Sequence, residues 1–163
     1  MNYLKQFYLT LVLCCLPLIL FAQTETQDKD RKPVELVIHK LFDGMREGDS
    51  SKVASVFHPE VTMFTSFTNK EGQKKIRKGA IKPFLEAIGT PHDQVWDEKI
   101  WNTKILIDGG VAQVWTDYSF FVGEKFSHCG VDAFNLVRDE KKGWIIVNLM
   151  DTRRKDECQI TEE

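Results

Sequence analysis

From Trp96 to Thr152 the chain reads as four long segments rich in β-branched and aromatic residues, separated by short turns. The segments are Trp96 to Ile107, Val111 to Val122, Phe126 to Arg138 and Trp144 to Thr152. Asp108-Gly109-Gly110 joins the first two, a strong hairpin signal, because glycine supplies the positive φ that tight hairpin turns require. Gly123-Glu124 and Asp139-Glu140-Lys141-Lys142-Gly143 join the rest. Strands of that length on such short connections must pair antiparallel, because parallel neighbours need a long crossover. The second half is therefore an antiparallel meander with one face to bury, and the first half has to cover it.

The first half has the helices to do so. Apolar residues at 34, 37, 38, 41, 42 and 45 fall on one helical face, with Pro33 where a first turn accepts proline. Gly48-Asp49-Ser50-Ser51 ends that helix and caps a second over Lys52 to Phe57, stopped by His58-Pro59. Val61 to Phe67 is a lone strand by content, Lys70 to Gly79 a basic connection, and Pro83 to Ile88 a short helix. Helices gathered in one half and strands in the other make the α+β class. At 163 residues and 42% hydrophobic, the chain has one core of ordinary size and is not disordered.

Met1 to Ala22 carries one charge, Lys5, ahead of an apolar run from Phe7 to Phe21 that Pro17 interrupts. A positive start, an apolar centre and a small residue at the break are the parts of a secretory signal. The run is shorter than the ~20 residues a spanning helix needs, so export with cleavage after Ala22 is expected, without stable membrane insertion afterwards. Residues 23–33 read as a polar linker, 34–152 as the domain and 153–163 as a polar tail. Cleavage removes Cys14 and Cys15 and leaves Cys129 and Cys158, one disulfide's worth in a compartment that permits it, though nothing in the sequence fixes their separation. A formal net charge of -2 gives no general attraction to phosphate, so nucleic acid is not an expected partner.

Several stretches carry a resemblance: Arg46-Glu47-Gly48-Asp49-Ser50-Ser51-Lys52-Val53, Val56-Phe57-His58-Pro59-Glu60-Val61, Asp108-Gly109-Gly110-Val111-Ala112-Gln113-Val114, Phe126 to Phe134, and Gly143-Trp144-Ile145-Ile146-Val147-Asn148. Together they resemble the nuclear-transport-factor-2-like superfamily, and especially its exported lumazine-binding-like and polyketide-cyclase-like branches. The resemblance spans Val34 to about Thr152. It implies a cone in which a curved antiparallel sheet wraps about three helices around a pocket; a homodimer through the outer face of the sheet is expected. Ketosteroid isomerase is a relative with known chemistry, and its oxyanion-binding acid falls on Asp132 of Val131-Asp132-Ala133. Its tyrosine falls on Leu41 and its general base on Thr65, which argues against that mechanism here, since leucine donates no hydrogen bond and threonine is no base at neutral pH.

Alternation in the third strand places His128, Gly130, Asp132, Phe134 and Leu136 on one face. An imidazole and a carboxylate among apolar neighbours can serve as acid and base or hold a polar group of a ligand. They lie two residues, about 7 Å, apart, so a direct hydrogen bond does not follow. A two-residue turn at Gly123-Glu124 pairs Trp115 with Asp132; one bulged residue instead turns Tyr118 to that face. Trp115 and Tyr118 are thus the aromatic candidates for stacking on a planar ligand, and each would serve equally as core. Glu35 and His39 have a metal-pair spacing on a helix, but no third ligand stands at a recognisable distance in sequence. No cofactor is implied: there is no phosphate loop, dinucleotide fingerprint or serine-nucleophile motif. The expected role is binding a small, hydrophobic or planar molecule in the cone. The alternatives are a cofactor-free isomerase, dehydratase or cyclase using Asp132 and His128, and a non-catalytic assembly module.

Overall fold

The computed structural model describes residues 29–159, and the expected signal peptide over 1–22 lies outside the described residues. The backbone is helical over 29–47 (α1), so residues 29–33, expected to belong to a linker, are already part of the domain. Val34, Ile38, Leu41, Phe42 and Met45 on the apolar face of α1 are all buried. Gly48, at φ +68°, ends the helix, because a side chain is disfavoured in that left-handed conformation. Asp49 then caps α2 (Ser50–Ala54), its carboxylate accepting the Lys52 N–H at 2.9 Å.

The following strand, β1 (Phe57–Thr68), starts earlier than expected and runs through His58-Pro59. Proline is tolerated here because the pairing is interrupted between Phe57 and Thr62, where no ladder bond is demanded of residue 59. The basic segment read as a connection is in part a strand, β2 (Lys74–Gly79), fully exposed along its length and paired with β1 at the sheet edge. Helix α3 (Ile81–Gly89) follows, with Pro83 in its first turn. The meander is β3 (Trp96–Asp108), β4 (Val111–Val122), β5 (Lys125–Asp139) and β6 (Gly143–Arg153), within a residue or so of the expected ends.

The sheet order is β2-β1-β6-β5-β4-β3. The meander is antiparallel as expected, but β1 runs parallel to β6, so the sheet is mixed. No hairpin can make that pair: the two strands are far apart in sequence and are joined only through β2, α3 and the rest of the meander. The fold class is α+β, with a curved, unclosed sheet. The α1 face packs into its hollow, where the Phe42 and Phe134 rings meet edge to face with centroids 6.2 Å apart. No helix among the described residues is long and apolar enough to cross a membrane.

The C-terminal segment, read as a free polar tail, is pinned to the outer face of the sheet. Cys129 and Cys158 form a disulfide with Cα atoms 5.8 Å apart. Cys129 also exchanges backbone hydrogen bonds with Arg154, and the Ser119 hydroxyl donates to the Gln159 carbonyl at 3.0 Å. This explains why Ser119 and Cys129, cross-strand partners on the outer face, are both buried. The bridge closes a loop with a sequence separation of 29, so the Cys129→Ser/Cys158→Ser variant should lose about 3 kcal/mol of stability. Urea denaturation of the oxidised parent and the variant measures it; coincident curves would mean that the strap adds nothing to the fold.

Candidate functional site

Strand register sorts the concave face into layers. One row across the sheet is apolar: Val114, Phe134, Leu149 and Met63, ending at Gly79. Two residues along each strand, the next row is polar: Thr116, Asp132, Asp151 and Thr65, ending at Arg77. Thr116, Asp132 and Thr65 are buried, an unusual concentration of polar side chains on the inner face of a sheet. Beyond this row, Glu98 of β3 pairs with Phe120 of β4, which pairs in turn with His128 of β5. These rows enclose a cavity of about 560 Å³, closed on the other sides by Leu41, Phe42 and Met45 of α1, Phe84 of α3, and Trp96. A larger hollow of about 720 Å³ lies against α2, α3 and the start of β1, with only scattered charges.

The bulge decides which aromatic ring faces inward. Pairing runs Val122 to Lys125 and Phe121 to Phe126, then shifts so that Phe120 meets His128, leaving Ser127 as the extra residue. Thr116 therefore faces Asp132, and Trp115 pairs with Ala133 on the outer face, half-exposed and off the cavity wall. Tyr118 lines the cavity and is buried. Its hydroxyl donates to the Thr152 carbonyl at 2.9 Å. Gly130, its cross-strand partner, makes that possible: a Cβ at 130 would collide with the Thr152 carbonyl oxygen and stand 2.9 Å from the Tyr118 ring.

Among the carboxyls, two arrangements coexist. Asp151 is supplied with donors, accepting from the Thr65 hydroxyl at 2.6 Å and from Arg153 Nε at 2.7 Å. Asp132 and Glu98 are not. Asp132 Oδ2 is buried and receives no backbone, hydroxyl or cationic donor. The Glu98 carboxyl lies beside it and interacts with it. Burial foremost, then the neighbouring Glu98 charge, raises Asp132 well above the usual carboxylate range. Burial also raises Glu98 to about 7, although its hydrogen bond to Asp132 pulls the other way.

His128 shares the inner face with Asp132, as alternation predicts, but Asp132 takes its partner in Glu98. The imidazole lies between the rings of Tyr118 and Phe120, at 5.7 and 5.1 Å, with Nδ1 3.0 Å from the Ser127 hydroxyl. Burial, with Arg153 adding to it, lowers its pKa to about 4, so it is a neutral imidazole at physiological pH. Glu35 forms an ion pair with Arg31 one turn away, at 3.2 Å. Among the described residues there is no group of three or more His, Cys, Asp or Glu placed to hold a metal ion.

Glu98, Asp151 and Arg153 were not singled out by sequence reasoning, although a signal was there. Trp96-x-Glu98-x-Ile100 sets a carboxylate between apolar residues at period two, the pattern that marks Asp132, and Leu149-x-Asp151 does so on one side only. The two other positions to which the isomerase resemblance carries functional residues, Leu41 and Thr65, do line the cavity, with an apolar group at one and a hydroxyl committed to Asp151 at the other.

Carboxyls raised by burial bind protons in the folded state that the unfolded chain has already released. Their contribution to stability is full below about pH 4 and is lost as pH rises through the folded values, near 7 for Glu98. The Glu98→Gln/Asp132→Asn variant should therefore melt higher than the parent at pH 8, with the gap closing towards pH 5. Thermal denaturation across that range checks it; a gap independent of pH would mean that the pair titrates normally.

The comparisons agree with this architecture. The family model described as "Putative lumazine-binding" matches residues 29–150. Among solved structures, a nuclear-transport-factor-2-like protein of unknown function from Shewanella baltica is 20% identical, with a TM-score of 0.61 over 78% of this chain and 96% of its own. A nuclear-transport-factor-2-like protein with a cystatin-like fold from Novosphingobium aromaticivorans is 12% identical, with a TM-score of 0.64 over 84% and 90%. A protein from Streptomyces avermitilis described as a putative dehydratase of that family is 14% identical, with a TM-score of 0.58 over 79% and 99%. At these identities the likeness is one of fold. No curated protein is significantly similar to the chain in sequence. The family match covers most of the chain, and the chain belongs to the putative lumazine-binding family, with a fold like that of nuclear-transport-factor-2-like proteins.

Proposed function

We propose that the protein is an exported small-molecule-binding domain, which takes a largely apolar, flat ligand into the cone and holds its polar group at the Asp132–Glu98 end. The observation that carries this reading is a buried carboxyl with no donor from the protein, set in the wall of a cavity otherwise lined largely by aromatic and aliphatic side chains. Such a group costs stability, and a ligand that meets it returns what the fold gives up. His128 and Tyr118 are the further ligand-facing residues. Trp115 has no part in this contact, because it faces outward.

Export is consistent with the disulfide, since such bridges persist in oxidising compartments. A homodimer through the outer face of the sheet is supported by a row of exposed apolar residues there, in which Trp115, Met150 and Phe64 lie on neighbouring or near-neighbouring strands.

A second reading, a cofactor-free isomerase, dehydratase or cyclase using Asp132 and His128, is favoured by one feature: a protonated acid touches a carboxyl at about 7 in the same cavity. The relative from Streptomyces avermitilis described as a putative dehydratase is compatible with it.

Native mass spectrometry of the chain isolated gently from its own host tests the binding reading. The parent should carry a reproducible small-molecule adduct on a dimer mass, and Asp132→Asn and the cavity-filling Leu149→Trp should each lose the adduct. Consumption of the released molecule by the parent would favour the enzyme. A clean parent mass, unchanged in both variants, would count for an assembly module.

A further inference from the structure

The chemical class of the ligand follows from what the protein supplies to each carboxyl, and the inference rests on the binding reading above. Asp151 has its countercharge in Arg153 and a hydroxyl donor in Thr65. The Asp132–Glu98 pair has neither, and Asp132 Oδ2 is buried without a hydrogen-bond partner. From β4 the pair faces Thr116 and Tyr118, whose hydroxyls are committed to the Trp101 and Thr152 carbonyls. From β5 it faces a neutral His128, and from β6 the already neutralised Asp151–Arg153 ion pair. From β2, Arg77 stands exposed at the rim, stacked over Phe67 at 5.8 Å, where water screens it. Asp97, beside Glu98 on β3, points away to Arg46 at 2.8 Å. On the cavity side the cations near the pair are thus Arg153, already paired with Asp151, and Arg77 at the rim, while on its other side Glu98 borders a hollow with His39, Asp43, Arg46 and Lys99.

The surrounding walls suit a cation. Trp96 precedes Glu98 by two residues on the same face, and its ring meets Phe120 edge to face with centroids 6.3 Å apart. Phe120 is itself the cross-strand partner of Glu98. Aromatic rings beside a carboxylate give a cation both a countercharge and π-faces in a site of low dielectric.

We infer that the cavity is a site for an organic cation: a protonated amine on a flat apolar body, whose N–H donors meet the carboxyls of Asp132 and Glu98. Binding then favours the ionised form of Glu98, so affinity rises with pH while the amine stays charged.

Three indoles of one shape and different charge, tryptamine, tryptophol and indole-3-propionate, separate the outcomes in calorimetric titrations of the full-length protein. Tryptamine should bind at least tenfold tighter than the other two at pH 8.5. A carboxyl at about 7 should weaken tryptamine by about tenfold at pH 6, with proton release visible as a dependence on buffer ionisation heat. Tryptophol should show no such dependence. Glu98→Gln and Asp132→Asn, each checked for an unchanged near-ultraviolet circular dichroism spectrum, should each abolish the preference and its pH profile. Equal affinities, preference for the propionate, or binding by none of the three overturns the inference. A neutral or anionic host-derived adduct that Leu149→Trp removes would overturn the cation class while leaving the binding reading intact. Loss of both the cation preference and any adduct would remove that reading as well.

Discussion

A single surplus residue in β5 governs the character of the cavity. Ser127 is unpaired in the hairpin between β4 and β5, and because side chains alternate with a period of two, one unpaired residue changes which set of β4 side chains lies opposite Asp132. With the bulge in place, Thr116, Tyr118 and Phe120 turn inward and Trp115 turns out. Gly130 then lets the Tyr118 ring settle where any side chain would strike the Thr152 carbonyl. Polar groups, aromatic walls and the strapped outer face all follow from that register.

The register also sets an electrostatic problem, which the fold solves in two ways. Asp151 is given donors from β1 and from its own strand. Asp132 and Glu98 come from strands separated by β4 and line the same cavity, where the apolar surround favours their neutral forms. Buried pairs of this kind weaken a fold as pH rises, and a protein keeps them where they face something other than itself. The outer face has a different economy, in which a disulfide and two backbone bonds hold a polar segment over Ser119 and Cys129.

Much of the architecture was legible because its determinants are local. Glycine turns and alternating apolar residues placed the four meander strands, and a helical stripe from Val34 to Met45 placed α1. The edge strand β2 escaped because its six residues are wholly exposed and mostly basic, so no burial pattern marks it; its strand character comes from pairing with β1. His58-Pro59 was misread as a stop because the irregularity that accommodates proline there belongs to the β1–β6 pairing, not to the dipeptide. At the site, Asp132 stood out by its apolar neighbours in sequence, while Glu98 carried the same signature and gained significance only through its contact.

By itself, the sequence determined the α+β class, the helical face, the hairpins and the shared face of His128 and Asp132, all of which depend on interactions a few residues apart. Tertiary structure decided the parallel β1–β6 contact, the bulge that selects Tyr118 over Trp115, the closure of Cys129 onto Cys158 and the meeting of Glu98 with Asp132. Those depend on how strongly the sheet curves around its helices, a property of the packed whole that no local run of residues encodes.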